Sequence, residues 1–85
     1  MSEWTAHLAA TLNVTPPTSA GEEALLHVSR DVAHRVERKD TPVSAYLMGV
    51  AAGLRIAGGA DPGAALDEVV TLVTGALPPA PTLGP

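Results

Sequence analysis

The sequence predicts an all-α fold, a small single-domain bundle of four helices joined by short turns. Apolar residues recur at the three- and four-residue spacing of a helix in four separate segments. Prolines and glycines separate these segments, at Pro16-Pro17, Pro42, Gly58-Gly59 and Pro62. A chain of 85 residues forms one domain at most. Because it contains no Phe, one Trp and one Tyr, its core must be built from Leu, Val and Ala.

The first predicted helix covers roughly residues 3–13. Ser2 can cap its N-terminus with the side-chain hydroxyl. Trp4, Leu8 and Leu12 recur every fourth residue, so they form an apolar edge along one side. The two adjacent prolines that follow remove backbone donors and force extended backbone, which ends the helix.

The second predicted helix runs from Ser19 or Ala20 to Arg38. Ser19, followed by glutamates at positions 22 and 23, resembles a capping box. One side of this helix is apolar and consists of Leu25, Leu26, Val28, Ser29, Val32, Ala33 and Val36. We expect this side to face the core.

The third predicted helix is the one around which the chain is organised. Thr41 is its expected N-cap, Pro42 its first helical residue, and Gly58-Gly59 its end. Its apolar stripe is Val43, Leu47, Val50 and Leu54, and its small flank is Ala45, Gly49, Ala52 and Gly53. Only Ser44, Met48 and Arg55 mark a possible wet side. Because a helix that is apolar nearly all round is normally buried, we expect this helix to form the core.

The fourth predicted helix starts at Asp61-Pro62 and runs to about Leu77. Its inward side is expected to be Leu66, Val70, Val73 and Leu77, and its outward side Asp67, Glu68, Thr71 and Thr74. Residues 78–85 are half proline and lack a packing pattern. The expected organisation is therefore a helical domain at 1–77 and a polyproline-like or flexible tail at 78–85.

Composition and charge restrict the classes of partner. A net charge of −4 argues against general nucleic-acid binding, and the basic residues near positions 30–39 are interleaved with acidic ones. The absence of Cys excludes disulfides and zinc–thiolate sites. The longest uncharged apolar run is too short to cross a bilayer, and the N-terminus does not resemble a signal peptide. We therefore expect a cytoplasmic protein that binds neither membrane nor nucleic acid.

One line of side chains on the second helix contains metal-ligand residue types. His27, Asp31, His34 and Arg38 fall on one line opposite the apolar side, and Arg30 flanks them. The histidines and the aspartate could bind a metal only if His7 reached over as a fourth ligand. The alternative is a solvated face, and we expect no metal and no cofactor.

The corner between the second and third helices is the stronger candidate site. His34, Arg38 and Lys39 precede a helix N-terminus, where unpaired amides and the helix dipole favour an anion. Tyr46 adds a hydroxyl nearby. Alternatively, Thr41 satisfies those amides and the cations are free in water. The candidate residues for binding a ligand or partner are Arg30, Asp31, His34, Arg38, Lys39 and Tyr46.

Gly49 and Gly53 form a small-residue motif on the third helix. Such a motif indicates either close packing inside the bundle or an interface in a homodimer. No nucleophile elbow, P-loop or dinucleotide-binding fingerprint is present, so catalytic residues are not expected.

Nearly the whole chain, most strongly residues 25–57, resembles a small actinobacterial domain of unknown function, DUF6457. The residues that carry the resemblance are Arg30-Asp31-Val32-Ala33-His34, Val36, Arg38, Pro42, Ser44, Tyr46-Leu47, Gly49 and Ala51-Ala52-Gly53, with Trp4 in the first helix. That domain occurs alone or at the end of molybdenum-cofactor guanylyltransferase-like proteins. Stand-alone copies are often labelled molybdopterin-guanine dinucleotide biosynthesis proteins. This chain departs from the family at the turn after the histidine, where Arg35 replaces the usual glycine.

The resemblance implies a non-catalytic accessory or protein-interaction domain linked to molybdenum cofactor biosynthesis. It would dock on a partner protein, a molybdenum cofactor nucleotidyltransferase or a molybdoenzyme, through the second helix and the corner. The alternative is a small module that binds an anion, nucleotide or pterin at the corner.

Overall fold

The computed structural model describes residues 1–80 and contains four α-helices and no strand within them. The helices are α1 (Glu3–Leu12), α2 (Ser19–Arg35), α3 (Asp40–Ala57) and α4 (Pro62–Ala76). The predicted all-α bundle of four helices is thereby confirmed. Residues 78–80 have no regular secondary structure, and the remainder of the predicted tail, 81–85, lies outside the described residues.

The shared core lies between α2, α3 and α4, which pack against one another in all three pairings. Its buried members are Val28, Val32, Met48 and Val69. Half-buried residues pack around them, namely Leu25, Ala51, Ala52, Val70, Val73 and Leu77. Within residues 1–80, no Cα of α1 lies within 8 Å of a Cα in another helix. The core is therefore built by three helices, and α1 stands beside it.

The helix α1 begins and ends as predicted. The Thr5 amide donates to Ser2 Oγ at 3.1 Å, and the helix ends at Asn13, which adopts the left-handed conformation with φ 55°. Its apolar edge of Trp4, Leu8 and Leu12 is exposed. The chain's N-terminal ammonium, just before α1, lies 3.5 Å from Oε2 of the half-buried Glu22 on α2. No other helix within residues 1–80 covers the apolar edge of α1.

The helix α2 is shorter than predicted and is capped by a different residue. Thr18 is the N-cap, and its Oγ1 accepts from the Gly21 amide at 3.1 Å. The predicted capping box at Ser19 is wrong, because a cap at Thr18 places a glycine at the third helical position. The helix ends at Arg35, three residues before the expected end. Arg38 consequently lies in the turn and not on the line of α2 side chains.

The start of α3 also differs from the prediction. Lys39 is the N-cap and makes no capping hydrogen bond through its side chain. The amides of Asp40 and Thr41 donate to the carbonyls of Glu37 and Arg38, both at 3.1 Å, so the turn runs directly into the helix. Thr41 therefore lies inside the first turn and is not the cap, and its buried Oγ1 has no hydrogen-bond partner among the described residues.

The expected burial of α3 is wrong for its apolar stripe. Val43, Leu47, Val50 and Leu54 are between 44% and 70% exposed. Met48, which was expected on the wet side, is the only buried residue of α3, at 6% exposure. The reason is that α2 and α4 both pack on the Met48 side, and no described element covers the opposite side.

The helix α4 follows the prediction closely. Asp61 is the N-cap and accepts from the Ala64 amide at 3.0 Å. The four residues expected to face inward are half-buried, and the four polar residues expected to face outward are exposed. The most deeply buried positions, Ala65 and Val69, lie next to the predicted stripe.

Candidate functional site

The six candidate residues do not converge on one pocket. Arg30 and His34 are exposed on α2, whereas Asp31 is half-buried at the edge of that helix. Arg38 and Lys39 are exposed in the turn before α3. Tyr46 lies on α3 and is 70% exposed. None of the three grooves described below is lined by any of these six side chains.

The polar contacts at these residues are local. Asp31 Oδ2 lies 3.5 Å from His27 Nε2, one helical turn away. Lys39 Nζ lies 3.2 Å from Glu37 Oε2 in an exposed ion pair. Among residues 1–80, no three His, Cys, Asp or Glu side chains cluster in a way that could hold a metal ion. These side chains therefore lie at or near the surface, and within residues 1–80 they do not form a metal-binding cluster.

The N-terminus of α3 offers fewer free amides than the sequence suggested. The amides of its first two residues already donate within the turn, and Pro42 at the third position has no N–H. An anion at this corner would gain from the helix dipole and from Arg38 and Lys39, but not from a cradle of backbone donors. The carboxylate of Asp40 in the first turn opposes an anion further.

The most distinctive feature of the molecule is the side of α3 that faces away from the core. We define the outer face of α3 as Val43, Tyr46, Leu47, Gly49, Val50, Gly53 and Leu54, all of which are exposed. The sequence carries no charge between Asp40 and Arg55. Monomeric proteins rarely leave such a continuous apolar surface in water, and a surface of this kind usually marks an interaction site.

Gly49 and Gly53 lie on this outer face and not in a packed contact. A Cβ added at either glycine would meet nothing within 4 Å among the described residues. Close packing of these glycines inside the bundle, one of the two alternatives from the sequence, is therefore wrong. Their absence of side chains leaves room for another helix to approach from outside.

A groove between α3 and α4 continues the outer face toward α4. Its volume is about 300 Å³, and Met48 and Ala51 line it. Leu47 of α3 and Leu72 of α4 also line it, at 60% and 57% exposure. The exposed position of Leu72 was missed from the sequence, because it belongs to neither predicted side of α4. Leu47 belongs to both the groove and the outer face, so the two surfaces are continuous. Ser44 and Arg55 supply the polar part of the groove lining.

Two further grooves lie elsewhere on the molecule. One of about 360 Å³ runs between α2 and α4 and is lined by Glu23, His27 and Thr74 among others. The other, of about 270 Å³, lies between the loop at Pro16-Pro17 and the start of α4. Neither brings together side chains in a catalytic or metal-binding arrangement.

Comparison with known proteins identifies a family. The model of a family described as a domain of unknown function, DUF6457, matches residues 1–80. No curated protein matches the chain, and no solved structure does. None of the helices in residues 1–80 has the length and hydrophobicity needed to cross a membrane. Since the match covers nearly the whole sequence, this chain belongs to the DUF6457 family.

Proposed function

We propose that this chain is a non-catalytic accessory domain that acts by binding other protein chains. The observation that carries the proposal is the outer face of α3, an uncharged helix face whose large side chains are 44% to 70% exposed. Keeping such a surface in water costs free energy in proportion to its area, on the order of 25 cal/mol per Å². Covering it with another chain recovers that free energy.

We further propose that the biological partner is a molybdenum cofactor nucleotidyltransferase or a molybdoenzyme, in the cytoplasm of an actinobacterium. The support is the resemblance described above, which links domains of this kind to molybdopterin-guanine dinucleotide biosynthesis. The partner would dock on the exposed side of α2 and on the α2–α3 corner. Arg30, His34 and Arg38 are exposed there and offer polar groups that can fix its orientation.

The test is affinity capture from the native cell with the tagged chain. We expect one of these enzymes to be recovered with the wild type and with Asp67→Lys, which reverses an exposed charge on α4. Arg38→Glu should abolish recovery. If no protein is enriched over the tag alone, the proposed binding of a heterologous partner is wrong. If a protein of another class is enriched, only the assignment of the partner is wrong.

The alternative function, a module for an anion, nucleotide or pterin, would use the side chains of Arg38 and Lys39 and the ring of Tyr46. Its support is the exposure of all three side chains beside a helix N-terminus. It lacks the backbone donors that phosphate sites usually supply. We therefore favour protein binding.

A further inference from the structure

We infer that the outer face of α3 packs against the same face of a second copy of this chain, forming a two-fold symmetric homodimer. This inference rests on the proposed interaction function and assigns a second copy of the chain to the outer face of α3. It leaves the exposed side of α2 and the α2–α3 corner to the heterologous partner.

The apolar area at this surface is close to what a dimer requires. The five large side chains of the outer face and Leu72 are 44% to 70% exposed. Together these six residues leave on the order of 700 Å² of surface in water, backbone included, against ~800 Å² per partner in a standard interface.

The absence of charge favours a second copy over a different protein. In a two-fold interface each patch meets itself, so a charged residue near the axis would oppose an identical charge. The sequence between Asp40 and Arg55 contains none, although the chain as a whole carries −4. Arg55 lines the groove beside Leu72, at the edge of the proposed contact, and its guanidinium Nε lies 3.3 Å from Glu68 Oε1, so its charge is paired within one copy. Homodimer interfaces are also more apolar than interfaces between proteins that exist separately.

The glycines explain how two α3 helices could approach each other closely. Gly49 and Gly53 present backbone to the outside, with open space where a Cβ would lie. Val50 lies near the middle of the outer face. An antiparallel crossing at Val50 sets Tyr46 of each copy against the Gly53–Leu54 end of the other. The large ring of one helix then fills the space that the glycine of the other leaves, as close helix packing requires.

The test measures the mass of the purified chain by sedimentation equilibrium over the micromolar concentration range. We expect a reversible dimer of twice 8.6 kDa. Val50→Glu should raise the dissociation constant at least about tenfold, because a central interface position then carries a buried charge in each copy. The control is Leu26→Glu, at an exposed apolar position on α2 (60% exposed, against 44% for Val50). It should leave the dimer intact. Unchanged helical circular dichroism in both variants excludes unfolding as the cause.

A second measurement uses the absence of cysteine in the wild type. With Val50→Cys as the only thiol, mild oxidation should link two copies covalently, whereas Leu26→Cys should stay largely monomeric. A wild type that is monomeric throughout, with no faster cross-linking at position 50 than at position 26, overturns the dimer.

If the chain is monomeric and Val50→Glu prevents capture of the heterologous partner, that partner binds the outer face of α3, and the proposed interaction function is supported. If the dimer forms but capture fails, the inference holds and the proposed heterologous partner is wrong.

Discussion

The backbone of Gly21 on α2 lies directly against the side chain of Leu66 on α4. A Cβ added at Gly21 would lie 3.0 Å from Leu66 Cδ2, and 3.4 Å from both Pro17 Cβ and Thr18 Oγ1. Gly21 is buried in the first turn of α2, so this approach to Leu66 belongs to the packing of α2 on α4. The glycine is needed here for space, whereas Gly75 on α4 has open space around it.

We predict that Gly21→Ala gains less stability than Gly75→Ala, because the added methyl group presses on Leu66 Cδ2 and offsets the gain in helix propensity. Gly75→Ala is the control. It should stabilise the protein by up to ~1 kcal/mol through better helix propensity. Urea unfolding followed by circular dichroism measures both. Equal gains in the two variants would mean that α2 and α4 are not in close contact at Gly21.

The buried residue of α3 provides the second prediction. Met48→Ala should lower the free energy of unfolding by ~2–5 kcal/mol, since it leaves a cavity in a core without large aromatic residues. Leu26→Ala, which truncates an exposed side chain outside the proposed dimer contact, should cost under ~0.5 kcal/mol. Thermal unfolding of both variants at the same concentration gives the comparison. A larger loss for Leu26→Ala than for Met48→Ala would contradict the observed packing of α2 and α3.

Within residues 1–80, Thr41 holds a buried hydroxyl without a hydrogen-bond partner. Thr41→Val keeps the shape and removes the unsatisfied group, so we expect it to stabilise the protein by about 1 kcal/mol. The control, Thr71→Val, removes a hydroxyl that donates to the Asp67 carbonyl at 2.9 Å on an exposed surface. That change should be close to neutral. Destabilisation by Thr41→Val, seen as a lower urea midpoint, would show that the hydroxyl has a partner in solution.

The corner before α3 can be tested with inorganic phosphate. The first two backbone amides of α3 donate within the turn, and the third residue of α3 is Pro42. We therefore expect only weak binding of phosphate, which salt screens. An amide-resolved titration should give small, non-saturating shifts at residues 38–43 in the millimolar range. Arg38→Ala should reduce those shifts further, and Arg55→Ala, on the far end of α3, should not. Saturation below a millimolar, lost in Arg38→Ala, would instead establish an anion site.

Local sequence determined much of this fold, because caps and prolines act over a few residues. Ser2 and Asp61 cap their helices through their own side chains, and the two adjacent prolines end the first segment. The alternation of apolar and polar residues on α4 gave the correct inward side, since its polar residues mark the outside clearly. The end of α2 was harder to predict, because no glycine or proline lies between Val36 and Thr41 to mark it.

The candidate site depended on tertiary structure for two reasons. Because α2 ends at Arg35, Arg38 lies in the turn. It is therefore not in line with His27 and His34, as it would be in a helix that continued to position 38. The outer face of α3 was expected to be part of the core. A helix that is apolar nearly all round has no polar side that marks which residues face water, so its sequence does not predict which side is buried. Only the positions of α2 and α4, which cover Met48 and leave Val50 in water, decided that choice.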